Sequence, residues 1–225
     1  STVRIARFDL QGHQINVSAA LAHRRRGLVT ATVYGQIQVW DLNPDRWAHP
    51  LPVHVGQVQG KYLRDGSKIL TADEGQDGRG HLRIWDAPSG RLESSASLEW
   101  DAACDLTVNR DGTRIGVLGR DGRPKIVDVR SGRELFVLEA RGEHILDLSF
   151  SPDGSRIAAA TREGAIHVWS AEDGVQIGPV LREPNGEAVE SIDFDPEGRH
   201  ILTSSPAVVA CLGIAPDPDA IYLSN

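Results

Sequence analysis

The chain has 225 residues, 40% hydrophobic and 24% charged, enough apolar sequence to bury a sizeable core, which excludes intrinsic disorder and a disulfide-stapled miniprotein. A formal charge of -7 and a pI near 5.6 argue against binding nucleic acid through its phosphates. No membrane partner is expected either, because the longest apolar run, 207–215, falls far short of the ~20 residues a membrane helix needs and no charged-then-apolar leader opens the chain.

Strand-type residues run through the whole sequence, helix-period stretches are nearly absent, and 23 Gly and 12 Pro punctuate it at short intervals. This is the pattern of an all-β fold. Residues 3–10, VRIARFDL, read as a first strand. Beyond it Trp40, Trp85 and Trp169, with Val127 and Cys211 placed between and after them, mark a repeat with spacings of 45, 42, 42 and 42. A Gly five residues before each of the first four marks (Gly35, Gly80, Gly122, Gly164) predicts a tight hairpin with positive φ. A second Gly further upstream (Gly27, Gly66, Gly112, Gly154, Gly198) predicts another turn. Each copy thus reads as strand, turn, strand, tight turn, strand and a looser outer strand. Within the strands, Leu82 and Ile84 alternate with His81 and Arg83, and Ile166 and Val168 with Ala165 and His167. A four-stranded sheet with one apolar face cannot bury that face alone, so neighbouring copies must stack.

The segments GQIQVWD ending at Asp41, GHLRIWD ending at Asp86, SPDGSRIAAATREGAIHVWS ending at Ser170, DPEG at 195–198 and the dipeptide Gly12-His13 resemble the WD40-repeat family of β-propellers. The resemblance covers essentially the whole chain and implies a β-propeller of four-stranded antiparallel blades. About five blades are expected here, at roughly 12–53, 54–98, 99–140, 141–183 and 184–225, with 3–10 as the outer strand of an adjoining blade and AIYL near 220 as a last outer strand. The structural repeat marks are His13, Trp40, Asp41, Trp85, Asp86, Asp128 and Trp169. Because the family favours seven blades, three arrangements stay open: part of a longer propeller, an unusual five-bladed ring, or a ring completed by a second chain. The absence of methionine, even at residue 1, fits the first of these, a processed or excised piece.

In the family a Trp, a strand Ser or Thr, a turn Asp and the His of Gly-His form a buried hydrogen-bonded tetrad, and no copy here has the full set. Copy one has His13, Thr30 or Thr32, and Trp40 but Tyr34 at the turn; copy four has Thr161, Glu163 and Trp169 without Gly-His. A half-satisfied buried network is worse than an apolar one, so apolar packing is expected to replace it in most blades.

No GxSxG, HExxH, GxxxxGK[ST] or GxGxxG occurs, and no cofactor or metal is expected. Cys104 and Cys211 lack metal or redox spacing and read as reduced core residues. The densest polar cluster, Asp73, Glu74, Asp77 and His81, lacks EF-hand spacing and lies where copy two is four residues longer than copy four (14 positions from Gly66 to Gly80, 10 from Gly154 to Gly164). A solvated hairpin insertion is the favoured reading.

Surface remains. Aligning the copies puts Arg162/Glu163 on the tight turn and Glu143/His144 on the approach to an inner strand, both on one face of the ring. Tyr34, Arg79, Arg120 and Arg162 at the turns, with Trp100, form the candidate partner-binding set, since Arg, Tyr and Trp dominate interaction hot spots. The bland alternative is that Arg, outnumbering Lys 21 to 3, is this protein's default surface cation and that Trp100 caps a blade edge. The resemblance implies a non-catalytic, cytoplasmic protein-interaction scaffold or sensor module binding protein or peptide partners, acidic ones if the Arg set is used. A small-ligand or glycan-binding propeller is the alternative, and an enzyme using the channel mouth a third.

Overall fold

Turn residues at regular intervals divide the chain into short strands grouped as five four-stranded antiparallel sheets in sequence order. The computed structural model describes residues 18–21, 27–31, 37–41, 49–51, 58–63, 66–74, 79–98, 106–119, 121–140, 142–183, 186–205, 209–214 and 221–222, and among them there is no helix. Sheet one holds β1 (Ser18–Leu21), β2 (Gly27–Ala31), β3 (Ile37–Asp41) and β4 (His49–Leu51). Sheet two holds β5 (Val58–Tyr62), β6 (Lys68–Glu74), β7 (Gly80–Asp86) and β8 (Leu92–Ser97). Sheet three holds β9 (Leu106–Val108), β10 (Arg114–Leu118), β11 (Pro124–Asp128) and β12 (Glu134–Val137). Sheet four holds β13 (Ile145–Phe150), β14 (Arg156–Thr161), β15 (Ala165–Ser170) and β16 (Leu181–Arg182). Sheet five holds β17 (Ser191–Phe194), β18 (His200–Ser204), β19 (Val209–Ile214) and β20 (Ile221–Tyr222).

The upstream turns behave as their sequence requires. Gly66, Gly112, Gly154 and Gly198 adopt positive φ of 69°, 74°, 78° and 70°. In the last three a short polar side chain closes the turn: Asn109 Oδ1 accepts the Arg114 N–H at 3.0 Å, Ser151 Oγ the Arg156 N–H at 2.9 Å and Asp195 Oδ1 the His200 N–H at 3.0 Å. A further turn follows the third strand. There Asp86 Oδ1 accepts the Ser89 N–H at 2.9 Å and Asp128 Oδ1 the Ser131 N–H at 2.8 Å, so in sheets two and three the Asp after the mark caps the turn to the outer strand. In sheet four the two roles are exchanged: Ser170 stands in the first place and Asp173 in the second, where its carboxylate accepts the Val175 N–H. Gly132, at φ 69° in this turn, must be Gly for a second reason, since a Cβ would lie 2.8 Å from the Ser97 carbonyl oxygen of the preceding sheet.

Among the described residues one tight turn departs from expectation, and Gly35 lies outside them. Gly122 and Gly164 both have φ of 74°, whereas Gly80 is a strand residue opposite Glu74 whose carbonyl accepts the Leu98 N–H. In the lengthened copy two β6 runs to Glu74 and β7 begins at Gly80, and 75–78 lie outside the described residues. Copy five also shifts. Ile157 pairs with Trp169, but the equivalent Ile201 pairs with Leu212, so Leu212 rather than Cys211 occupies the mark. Leu212 is buried and Cys211 exposed, which corrects the reading of Cys211 as a core residue; Cys104 lies outside the described residues.

Three apolar clusters lie between consecutive sheets. Leu70, Ala72 and Leu82 of sheet two meet Leu106, Ile115 and Val127 of sheet three. Ile126 and Leu138 meet Phe150, Ile157 and Trp169, and Ala158, Ile166 and Val168 meet Ile192, Phe194 and Ile201. Each fully buried Ile or Leu stabilises by about 1.5–3 kcal/mol. Inner strands are also tied polar to polar: Thr107 Oγ1 accepts the Phe150 N–H at 3.4 Å, Asp147 Oδ2 accepts the Ile192 N–H at 2.8 Å, and the Ser149 hydroxyl donates to Asp193 at 3.0 Å. Stacked sheets bridged strand to strand in this way are the architecture of a propeller.

The two described Trp residues keep polar neighbours rather than the apolar packing expected in most blades. Trp85 is buried and its Nε1 donates to Thr71 Oγ1 at 2.9 Å, a pairing that repeat spacing alone does not single out. Trp169, opposite Ile157, has Ala159 at the place of Thr71; its ring stacks on His167 at 5.3 Å instead. Thr161 serves the turn, its Oγ1 accepting the Ala165 N–H at 2.9 Å. Trp40 lies in β3 opposite Leu28, with Asp41 opposite Gly27, and His13 is outside the described residues.

Candidate interaction surface

The turn joining β14 to β15 places charged groups at one edge of sheet four. Its backbone is fixed by the Gly164 N–H to the Thr161 carbonyl at 3.2 Å, and by the Arg162 N–H to the His144 carbonyl at 2.9 Å. The Glu163 carboxylate reaches to the approach strand, accepting the His144 N–H at 3.0 Å and meeting His144 Nδ1 at 2.7 Å. The His144 side chain holds the Glu163 carboxyl below its ordinary value, against the small desolvation there. A residue earlier, Glu143 accepts from Arg182 Nη2 at 3.0 Å and meets His167 Nε2 at 2.6 Å. Arg162 is exposed, and the side chains of His144 and Arg182 are 72% and 59% exposed. Three basic groups therefore face outward, with Glu143 and Glu163 holding two of them in place.

This edge continues onto sheet five. Gly164 abuts the loop entering β17 so closely that a Cβ would lie 2.5 Å from the Glu187 carbonyl oxygen. Glu187 in turn accepts the Ser205 hydroxyl at 3.3 Å.

Of the residues singled out from sequence, Arg162 and Arg79 are exposed, Arg79 immediately before β7. Tyr34, Trp100 and Arg120 lie outside the described residues. The alignment that set Glu143/His144 beside Arg162/Glu163 matches the observed contacts. It missed Arg182, which comes from the outer strand and carries no repeat signature.

It also missed a repeated polar position. Arg83, Lys125 and His167 stand two residues before successive marks, 42 apart, on the strand face that looks to the preceding sheet. Each meets a carboxylate: Arg83 pairs with Asp73, Lys125 lies 3.3 Å from both Asp121 and Glu134, and His167 meets Glu143. Buried polar side chains persist when partnered, and the constant spacing was the available signal. The pairing also corrects the acidic-loop reading. Asp73 is a buried residue of β6 rather than a solvated loop residue; Glu74 ends that strand and Asp77 lies outside the described residues. No group of three or more potential metal ligands occurs among the described residues.

The opposite edge offers a groove of about 760 Å³ between sheets three and four, lined in part by Asp111, Thr113, Arg114, Asp153, Ser155 and Arg156. Its two aspartates are already committed. Asp111 accepts the Thr113 hydroxyl at 2.6 Å, and Asp153 accepts the hydroxyls of Ser151 and Ser155 at 2.6 and 2.8 Å. Partial burial works to raise the Asp153 carboxyl, but the hydrogen bonds from Ser151 and Ser155 outweigh it and hold the group at about 2.

Residues 132–170 match the family model for the WD domain, G-beta repeat. That segment begins in the turn before β12 and ends with β15, so the family's repeat takes the outer strand of one sheet with three strands of the next. The solved β-propeller domain of Cps50 (Swd1) from Myceliophteria thermophila superposes with a TM-score of 0.77, over 94% of this chain and 74% of that one, at 15% identity. The chain is a β-propeller with a WD40 repeat at residues 132–170. It is also similar to Autophagy-related protein 16 of Arabidopsis thaliana, 29% identical over 184 residues. That match covers 79% of this chain and 35% of the relative, so the propeller spans about a third of that protein's length. WD40 propellers are generally platforms for protein assembly. No helix among the described residues is long and apolar enough to cross a membrane.

Proposed function

We propose that this propeller is a non-catalytic protein-interaction scaffold or sensor module, and that it binds acidic peptide or protein segments at the turn edge of sheet four. The observation that carries the reading is the outward cluster of Arg162, His144 and Arg182, two of them buttressed by carboxylates and lying next to the loop that enters sheet five. A guanidinium pre-positioned by a buried-side carboxylate loses less freedom on meeting a second carboxylate, and Arg presents a planar fork suited to it. Arg79, and with it Tyr34, Trp100 and Arg120, belongs to the same proposal as the part of the face contributed by other sheets. A cytoplasmic location goes with this role.

The test is titration of a fluorescent acidic peptide library against the wild type and the Arg162→Ala/Arg182→Ala double variant. Binding should weaken at least tenfold in the variant and fall with added salt, since exposed charges are screened within about 8–10 Å. Equal binding by the two proteins, or binding indifferent to salt, refutes the assignment.

A further inference from the structure

The junction between sheets four and five holds a polar pair where the two junctions before it hold apolar ones. The first residue past each outer strand donates its N–H to a carbonyl at the start of the third strand: Leu98 to Gly80 at 2.7 Å, Leu138 to Pro124 at 2.8 Å and Glu183 to Gly164 at 2.8 Å. The three residues are therefore equivalent, and all are buried, with exposures of 1%, 1% and 7%. Leu98 shares an apolar cluster with Val117 of the next sheet, and Leu138 shares one with Ala159. At the place of Val117 and Ala159 sheet five carries Thr203, fully buried, whose hydroxyl donates to Glu183 Oε1 at 2.9 Å.

Leu98 and Leu138 show that the fold accepts an apolar residue at this place, whereas a buried carboxylate is costly unless a cation answers it. Sheets two, three and four set Arg83, Lys125 and His167 opposite Thr71, Val117 and Ala159, and each of those side chains meets a carboxylate. Opposite Thr203 stands Ala210, a residue with no basic group. Arg182, next to Glu183 in the chain, is turned to Glu143 instead. Among the described residues Glu183 thus has the Thr203 hydroxyl as a side-chain donor and no basic partner, and its second carboxylate oxygen takes no hydrogen bond. The turn edge beside it is acidic as well: Glu187 is exposed there and meets the Ser205 hydroxyl.

We infer that Glu183 and Thr203 form the seat of a lysine ammonium carried by the segment that docks on the turn edge of sheet four, so that the ligand is an acidic segment with one lysine in it. This rests on the docking reading for the segment, and on Glu183 and Thr203 for the cation. With Oε1 held by Thr203 one carboxylate oxygen is left, which suits a point charge better than the planar fork of Arg, which spans both oxygens. Neighbouring residues leaving a strand point to opposite faces, and here Arg182 goes to Glu143 while Glu183 goes to Thr203 of sheet five. A segment crossing from sheet four to sheet five along this edge therefore meets an anion-binding residue and then a cation-binding one.

The test measures fluorescence anisotropy of labelled Gly/Ser peptides that hold paired Asp residues and one Lys walked through the other positions, beside the same peptides with norleucine for Lys and with Asn for Asp. At one or more positions Lys should bind the wild-type chain about tenfold tighter than norleucine. Glu183→Leu, which installs the residue of sheets two and three, should bind the Lys and norleucine peptides alike and melt no lower than wild type. Glu183→Gln keeps the side chain's shape and should lose the preference too, so that a loss shared by both variants is not a folding defect. No favoured Lys position, or a preference that survives in both variants, overturns the inference. If acidic peptides then still bind and depend on Arg162 and Arg182, the docking reading stands without it. A Glu183-dependent Lys preference that is equal for the Asp and Asn peptides upholds the cation seat and refutes the acidic-segment reading, and binding of no peptide overturns both.

Discussion

Replacing Thr71 by Val tests whether the Trp85–Thr71 hydrogen bond is an energetic element of blade two or an incidental contact. Val keeps the shape and β-branching of Thr but removes the oxygen that accepts the Trp85 Nε1–H at 2.9 Å. Thr71 has no exposed surface and Trp85 is 2% exposed, so bulk water does not replace the lost acceptor. Removing the acceptor of a buried donor costs about 1–3 kcal/mol. In a chain of this size each kcal/mol lowers Tm by about 2–4 °C, so the variant should melt several degrees below wild type. A double-mutant cycle isolates the bond, with Trp85→Phe as the second arm. Once the indole N–H is gone, Thr71→Val should cost far less than it does alone. Differential scanning calorimetry of the four proteins gives the coupling. A Thr71→Val cost that is the same with and without the Trp85→Phe substitution would refute the argument, because the hydroxyl would then be serving some other group.

The remaining predictions concern the turns and the buried charges. Gly164→Ala should destabilise more than Gly122→Ala, although both residues have φ of 74°, because only at Gly164 would the new Cβ meet backbone, the Glu187 carbonyl at 2.5 Å; equal Tm losses would refute the steric part. Asp153 has a folded pKa of about 2 against 3.8 for the free group, a depressed value, so its contribution is present above about pH 4 and lost as pH falls toward 2. Asp153→Asn should therefore lower Tm at pH 6 and narrow the gap to wild type at pH 2–2.5, and a gap independent of pH contradicts the assignment. Asp73→Asn should destabilise because it takes the carboxylate from the largely buried Arg83 guanidinium, a loss of about 3–5 kcal/mol for a fully buried pair and less here since Arg83 is partly exposed. Restoration of Tm by Asp73→Asn/Arg83→Met, read by thermal melts, is the expected companion result.

The repeat was legible because a propeller blade is local. Its turns lie within a few residues of one another, and Gly at positive φ, Asp or Ser closing a turn and apolar alternation leave marks at a constant interval. Gly154, Asp153 and Ser155 write one such turn almost by themselves. Where a copy changes length the interval misleads. Four extra residues let β6 and β7 lengthen until Gly80 was inside a strand, and a change of length entering copy five moved the mark from Cys211 to Leu212. Backbone pairing follows the strand ladder and not the count from the previous Trp.

Contacts between blades were much less legible, since each depends on what the next copy offers across the interface. Alternation is clean in sheet five, where one face is open, and almost absent in sheet four, where both are covered; the run of small and apolar residues in β14, RIAAAT, is what double coverage selects. The Glu143–His167 contact and the Arg182–Glu143 contact join positions 24 and 39 residues apart, distances unrelated to the 42-residue period.

This difference also locates what distinguishes the propeller from a stack of identical blades. The place held by Thr71 passes to Val117, Ala159 and Thr203 in the copies that follow, and the polar place passes from Arg83 through Lys125 to His167, while the β-ladder stays the same. The ladder fixes where each side chain points, so substitutions at those positions change chemistry without changing fold. At the turn edge the same freedom operates with fewer constraints, because a solvent-facing residue need satisfy only its own partner. His144 and Glu163 pair with each other and Arg162 extends past them. A surface that is free to vary on a framework that is not is the condition under which one blade's edge can specialise for a partner while its neighbours keep the ring together.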